Sequence, residues 1–224
     1  MFRWRRHLFY ATHCIKTTWK LRIAVIAVLI IAVVSTRGFW TEWIARSLVC
    51  ERDLAPSDVL LIENFDPQYL LFERAAALRQ AGLAGRILVP VQASRDPNVA
   101  NLVSYGIADV MAKYARLGAW ESVPIPEIEP ISLNAAAQIR NHLVDEHVKS
   151  VIVVTPGFRS RRSALVYRAV MDHGGPQIHC DPVFGATRRD RWTERWHGVQ
   201  EVAEEFLKLQ YYRFYVIPFR VRPS

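Results

Sequence analysis

The stretch from Ser150 to Ala164 most constrains the fold, because it has the pattern of a buried strand, a sharp turn and a helix start. The apolar run Val151–Val154 is typical of a parallel strand that is covered on both faces. Pro156 and Gly157 end the strand, and Ser160 is predicted to cap the helix that follows.

Three arginines stand at that helix start, namely Arg159, Arg161 and Arg162. In open α/β sheets, ligands bind beyond the carboxyl ends of strands, where helix N–H groups attract anions. The turn is therefore the best candidate site, although a plain turn with solvated arginines fits the same spacing.

Strands and helices alternate along the rest of the chain. The predicted strands are Asp58–Glu63, Arg86–Val91, Trp120–Pro126, Lys149–Thr155 and Gln177–Val183. The intervening segments have helical apolar spacing, and the proline-rich third strand suits a sheet edge. Such alternation favours right-handed βαβ crossovers. We therefore predict an α/β fold, with a Rossmann-like, mostly parallel sheet sandwiched by helices over residues 57–215.

Helix starts have their own signals. Asp66-Pro67 and Asp96-Pro97 are each predicted to place an aspartate cap before a proline in the first helical position. Ser132 or Asn134 is predicted to begin the helix before the central strand.

The N-terminal region predicts a membrane anchor. Residues 1–22 hold six Lys or Arg and no acid, so the rest of the chain carries only +2 of the net +8. The apolar run Ile23–Val34 follows, and then an aromatic belt of Phe39, Trp40 and Trp43. We predict a basic cytoplasmic tail over residues 1–20, a transmembrane helix over 21–44, a juxtamembrane link over 45–56 and a basic tail over 216–224. A cleaved signal peptide fits the short apolar run as well.

The distribution of positive charge places the N-terminus in the cytoplasm and the domain outside it. Cys50 and Cys180 would then share an oxidising compartment, either as one disulfide or as two unrelated thiols. No cysteine or histidine spacing indicates a metal site.

Polar residues are expected to meet at the carboxyl edge of the sheet. The ligand-binding candidates are Glu63, Asn64, Glu129, Ser132, Asn134, Thr155, Arg159 and Arg162. The same edge also collects Asp66, Gln92, Ser94 and Asp181. Carboxylate, amide and guanidinium groups around a helix N-terminus suit a phosphorylated or otherwise anionic ligand, since arginine grips phosphate bidentately. The sequence shows no nucleophile–base pair and no cofactor signature, so it assigns no catalytic residue, reaction or cofactor.

The loop 188–196 alternates four arginines with Trp192 and Trp196. Stacking and charge of this kind can bind nucleic acid, but an extracytoplasmic location excludes that partner. Anionic lipid or a lipid-linked head group is the alternative partner, and both tryptophans are expected to pack the last helix onto the sheet.

Three groups of residues resemble the SanA/ElyC/YdcF-like envelope protein family over residues 55–215. They are Val151–Thr155 with Phe158 and Arg162, then Glu129 with Ser132–Ala135, and finally Trp196, Glu205, Lys208, Tyr211 and Tyr212. Two positions depart from the family pattern. Ile62–Asp66 replaces a glycine-rich turn, and Arg159 replaces a histidine.

The resemblance implies a protein of the bacterial inner membrane that supports cell-wall or surface-polysaccharide biogenesis. Its expected partners are membrane lipid through the anchor, a lipid-linked or nucleotide-like phosphate, and envelope biosynthesis proteins. The alternative is a non-catalytic scaffold in an envelope synthesis or secretion complex.

Overall fold

The computed structural model describes residues 19–172 and 174–221, in one unit that ends at Trp40 and a second that begins at Thr41. In the first unit, α1 spans Trp19–Ser35 and buries none of its residues; α2 spans Arg37–Leu48 and continues into the second unit. No single helix of the described ranges is long and apolar enough to cross a bilayer, whereas the broken pair α1 and α2 meets those criteria jointly. Most of the basic cytoplasmic tail predicted over residues 1–20 lies outside the described residues.

The second unit is built on a parallel sheet. Its strands are β1 Val59–Ile62, β2 Arg86–Gln92, β3 Glu121–Ile125, β4 Ser150–Pro156 and β5 Gln177–Val183. Their order is β3-β2-β1-β4-β5, and every pair is parallel. The helices are α3 Tyr69–Gln80, α4 Leu102–Tyr114, α5 Ile131–Asp145, α6 Ser160–Met171 and α7 Trp196–Tyr211. A π-helical turn, Tyr212–Val216, leads into α8 Ile217–Arg220. The predicted α/β fold is confirmed, including the edge position of the proline-rich strand.

The core has one apolar layer on each side of the sheet. Alternate residues of a strand point to opposite faces, so Leu61 and Val153 enter one layer while Ile62 and Val154 enter the other. The first layer contains buried residues of α5 and α6, and the second contains buried residues of α3 and α4. Each fully buried aliphatic side chain contributes roughly 1.5–3 kcal/mol. These two layers hold the carboxyl ends of β1 and β4 side by side.

That pair of strands is the point where the strand order reverses. From β1 the chain moves outward through β2 to β3, and then returns to place β4 on the other side of β1. A crevice opens between such strands at their carboxyl ends, where ligands bind in open α/β sheets.

The two Asp-Pro predictions are wrong. Helix α3 begins at Tyr69 without a side-chain cap, since Asp66 pairs with an arginine instead. Helix α4 begins at Leu102, capped by Asn101, which accepts hydrogen bonds from two backbone N–H groups. Asp96 accepts a bond from the Asn98 N–H in a local turn, so its carboxylate is engaged before the helix starts.

Two other predicted caps also differ from the structure. A 3₁₀ turn, Gly157–Arg159, precedes α6, and the Ser160 hydroxyl donates to the Gly157 carbonyl at 2.5 Å. The same hydroxyl accepts from the Cys50 N–H at 2.9 Å, so a tertiary contact replaces the expected cap. Helix α5 begins at Ile131, behind Pro130, and neither Ser132 nor Asn134 caps it.

Residues before β1 pack onto the sheet. Cys50 and Cys180 form a disulfide with a Cα–Cα distance of 6.5 Å, which decides between the two alternatives left open by the sequence. The buried Asp181 carboxylate on β5 lies 2.7 Å from Arg52 Nε and 2.6 Å from Arg74 Nε. The disulfide and the Arg52 contact fix the segment that joins α2 to β1, while Arg74 comes from α3.

Candidate functional site

A buried carboxylate lies where β1 and β4 end. Glu63 is 2% exposed and follows β1 directly. Thr155 Oγ1 on β4 donates a hydrogen bond to Glu63, and Ser163 Oγ on α6 lies 2.7 Å from the same carboxylate oxygen. The hydroxyl of Tyr167 is also buried and has no partner among the described residues. Burial, together with the negative charge of Glu63, raises the pKa of Tyr167 well above its usual range, so the phenol stays protonated.

Arg159 projects from the 3₁₀ turn near this carboxylate. Its guanidinium forms an ion pair with Asp66, and its Nε lies 3.5 Å from a Glu205 oxygen. Burial alone would lower the pKa of Arg159, but the charges of Glu63 and Asp66 outweigh it and raise the pKa. Burial of Asp66 is likewise outweighed by the hydrogen bond from Arg159, so the pKa of Asp66 is lowered. Both groups are therefore charged at neutral pH.

Arg162 joins three helices. Its Nε and Nη2 donate to the Glu205 carboxylate of α7 at 3.0 to 3.2 Å, and its Nη1 donates to Ser132 Oγ of α5 at 2.8 Å. The guanidinium carbon lies 5.4 Å from the ring centre of Tyr212, a cation–π distance. The bidentate grip that the sequence suggested for a phosphate is directed at Glu205.

These arginines line a cavity of about 490 Å³ at the carboxyl edge of the sheet. Residues at or just after the ends of β1, β2, β3 and β4 all contribute to it, as does α7. Its basic and acidic members are Arg159, Arg162, Lys208, Asp66, Glu127 and Glu129. Its aromatic wall is Phe65, Tyr211 and Tyr212. Lys208 Nζ lies 2.5 Å from Glu204, so each cation of the cavity has a carboxylate beside it.

The structure brings together only part of the predicted ligand set. Glu129, Ser132, Arg159 and Arg162 line the cavity. Glu63 and Thr155 are buried at the strand ends and bond to each other.

Asn64 and Asn134 have other positions. Asn64 is buried, and its Oδ1 has no partner within the described part of the chain. Asn134 Nδ2 donates to the Ile128 carbonyl at 2.9 Å and so holds the loop before α5. Asp66 and Gln92 line the cavity as expected at this edge, but Asp181 is engaged by two arginines elsewhere.

Sequence reasoning from spacing missed the contribution of α7. Glu205, Lys208 and Tyr212 are separated by three and four residues, which places them on one helix face. That periodicity was a usable signal for a shared helix face. It does not show the partner of Glu205, which is Arg162, 43 residues earlier in the chain. Ser163 was missed as well, because helical spacing does not show that its hydroxyl reaches Glu63.

One group of side chains away from the cavity has metal-ligating atoms. Glu121, His142 and Glu146 offer ligand atoms within 4.8 Å of one another. Arg86, however, lies 2.9 Å from Glu121 and 2.8 Å from Glu146. Arg86 and Glu121 begin β2 and β3, so this cluster is an ion-pair network at the opposite edge of the sheet.

The loop with alternating arginines and tryptophans has two separate environments. Trp192 is buried and donates from Nε1 to the Thr41 carbonyl at 3.3 Å, as expected for a packing residue. Trp196 is 75% exposed, so its expected packing role is wrong. Arg188 pairs with Asp190 at 3.2 Å on the surface.

Comparison with protein-family models, with curated proteins and with solved structures found no match for this chain.

Proposed function

We propose that the protein is a membrane-anchored envelope factor that binds a phosphorylated ligand in the cavity at the ends of β1 and β4. The observation that carries this proposal is the placement of Arg159, Arg162 and Lys208 around one cavity at the sheet's switch point. Fixed cations at this edge are suited to phosphate oxygens.

The ion pairs suggest how a ligand would enter. Asp66 is 66% exposed at its side chain, whereas Glu205 is 8% exposed. An entering phosphate would displace Asp66 from Arg159, because Asp66 is readily hydrated. Arg162 would keep Glu205 and present its remaining edge, beside Ser132, to the ligand. Phe65 and Tyr211 supply flat surfaces for an isoprenoid, sugar or base attached to the phosphate.

The membrane and the compartment are part of the same proposal. We take residues 21–44 as the anchor, with the basic residues before it in the cytoplasm. The Cys50–Cys180 disulfide supports an oxidising, extracytoplasmic side for the domain. The resemblance to the SanA/ElyC/YdcF-like family suggests the bacterial inner membrane, and cell-wall or surface-polysaccharide biogenesis as the process.

A second candidate function is a non-catalytic scaffold in an envelope complex. It is favoured by the pairing of every cavity cation with a carboxylate. It is also consistent with the lack of a nucleophile–base pair among the described cavity residues.

Titration calorimetry on the detergent-solubilised full chain separates these candidates. The probes are a short-chain polyprenyl phosphate, uridine monophosphate and the neutral polyprenol. Arg159→Gln with Lys208→Gln should weaken phosphate binding at least about tenfold, since each lost charge-assisted hydrogen bond contributes roughly 1.5–3 kcal/mol.

The matched control is Arg188→Gln, which also removes an arginine that is paired with an aspartate. The control should bind like the wild type. If the wild type binds the polyprenyl phosphate more tightly than uridine monophosphate, the ligand is lipid-linked. If it binds uridine monophosphate more tightly, the ligand is a soluble nucleotide. Absence of binding to both phosphates would reject the phosphate proposal in favour of the scaffold.

A further inference from the structure

The chain after Glu205 carries an unusual exposed surface, which we call the aromatic face and define as Tyr211, Phe214, Tyr215 and Phe219. We infer that the aromatic face docks on the interface of an anionic lipid bilayer. Its aromatic rings would lie at the headgroup level while neighbouring arginines contact lipid phosphates.

The rings of the aromatic face are held outward by the fold. Tyr211 and Tyr215 stack with ring centres 5.4 Å apart, and Tyr215 lies 5.8 Å from Phe219. From the same segment, Tyr212 and Val216 enter the core. Phe214 and Phe219 are each 66% exposed. Because the segment is pinned through its buried residues, the exposed rings cannot turn inward without breaking the core. Contiguous exposed apolar surface of this kind marks an interaction site.

The charge around the aromatic face favours an anionic partner. From Phe206 to the end of the chain there is no Asp or Glu. Arg213 and Arg220 are both exposed, and the Arg213 guanidinium carbon lies 5.7 Å from the ring centre of Phe214. Tyrosines and phenylalanines flanked by arginines match the apolar and anionic layers of a bilayer interface.

A second copy of the chain fits this surface less well. In a two-fold dimer the same patch meets itself, so Arg213 and Arg220 would approach their own counterparts without an acidic residue between them. An anionic bilayer supplies the missing negative charge on one plane.

The docking surface adjoins the cavity, because Tyr211 belongs to both. Docking would bring the cavity mouth to the lipid headgroups, where a lipid-linked phosphate could enter without leaving the bilayer. This consequence rests on the proposed function, but docking itself rests on the C-terminal residues alone.

Depth-dependent fluorescence quenching tests the inference on the full chain. Cys14→Ser removes the cysteine outside the disulfide, and Tyr215→Cys then accepts a bimane label. Tyr114→Cys is the matched control, since Tyr114 is also an exposed tyrosine near a helix end. The chain is reconstituted into phosphatidylcholine vesicles with or without phosphatidylglycerol, each containing lipids that carry a nitroxide on the acyl chain.

We expect strong quenching at position 215 in vesicles with phosphatidylglycerol, weaker quenching without it, and little at position 114. Arg213→Gln with Arg220→Gln should reduce the docking equilibrium roughly 30-fold, from about 1 kcal/mol for each cation near an anionic surface. Equal quenching at positions 215 and 114 would overturn the inference. So would disulfide cross-linking of two copies of the unlabelled Tyr215→Cys variant in the same vesicles.

Phosphate binding is measured on the same samples. Quenching without phosphate binding would reject the proposed ligand and leave the docking surface standing. Phosphate binding without quenching would reject the docking surface and leave the proposed ligand standing.

Discussion

The ion pair between Arg162 and Glu205 offers the sharpest test of how the site is built. The two side chains are 6% and 8% exposed, and the three N–O contacts between them measure 3.0 to 3.2 Å. Glu205→Leu would leave the buried Arg162 with one hydrogen bond to Ser132 and the face of Tyr212. An unpaired buried charge costs about 3–5 kcal/mol, a large part of the stability of an ordinary domain.

Arg162→Met should lower the free energy of unfolding less than Glu205→Leu does. In this variant the Glu205 carboxylate keeps a second cation beside it, because Arg159 Nε lies at 3.5 Å. We expect a loss near the lower end of that range, about 3 kcal/mol. The double variant has no unpaired charge at this position, and a buried pair replaced by apolar side chains is often neutral. It should therefore lie within about 1 kcal/mol of the wild type.

Urea denaturation of the full chain in detergent, followed by tryptophan fluorescence, gives all four free energies of unfolding. The double-mutant cycle then isolates the interaction between the two residues. Additive losses, or single losses below about 1 kcal/mol, would refute the view that these charges depend on each other inside the protein.

Three further predictions concern other parts of the fold. Cys50→Ala with Cys180→Ala should lower the free energy of unfolding by about 5 kcal/mol in urea denaturation, since the disulfide closes a loop of 130 residues. A loss below about 1 kcal/mol would contradict this expectation. Gly157→Ala should lower the stability measured by thermal denaturation by about 1–3 kcal/mol, because the added Cβ would lie 2.4 Å from a phenylalanine ring in the loop after β5. Gly85→Ala is the control and should leave the stability unchanged, because its Cβ meets no neighbour within 4 Å. Asp66 stabilises the fold above its unfolded pKa, and this contribution is lost as the pH falls through its lowered folded pKa. Asp66→Asn should therefore flatten the pH dependence of stability below about pH 4 by less than about 1 kcal/mol, and an unchanged slope would contradict the ion pair.

The fold was predictable because its signals are local. A run such as Val151–Val154 needs cover on both faces, and the alternation of strands with helices leaves few topologies for a parallel sheet. The position of Arg159 and Arg162 at a switch point follows from that topology.

The chemistry of the site was less predictable because it depends on contacts between distant residues. Asp66 has the sequence pattern of a helix cap, but Arg159 competes for its carboxylate across 93 residues. Ser160 likewise gives its hydroxyl to a contact with Cys50, 110 residues away. Local propensity cannot anticipate such competition, because the competing partner arrives only when the sheet is assembled.

The central claim, that phosphate binds at Arg159 by displacing Asp66, is tested most directly by neutralising the competing carboxylate. Asp66→Asn leaves the guanidinium in place but removes its internal anion. Affinity for the polyprenyl phosphate or for uridine monophosphate should therefore rise, by up to about fivefold for a partly exposed ion pair.

Asp190→Asn is the control, since Asp190 is an exposed aspartate paired with an arginine outside the cavity. We predict that calorimetry finds tighter binding by Asp66→Asn than by both the wild type and this control. Affinity that is unchanged or lower in Asp66→Asn would contradict the account.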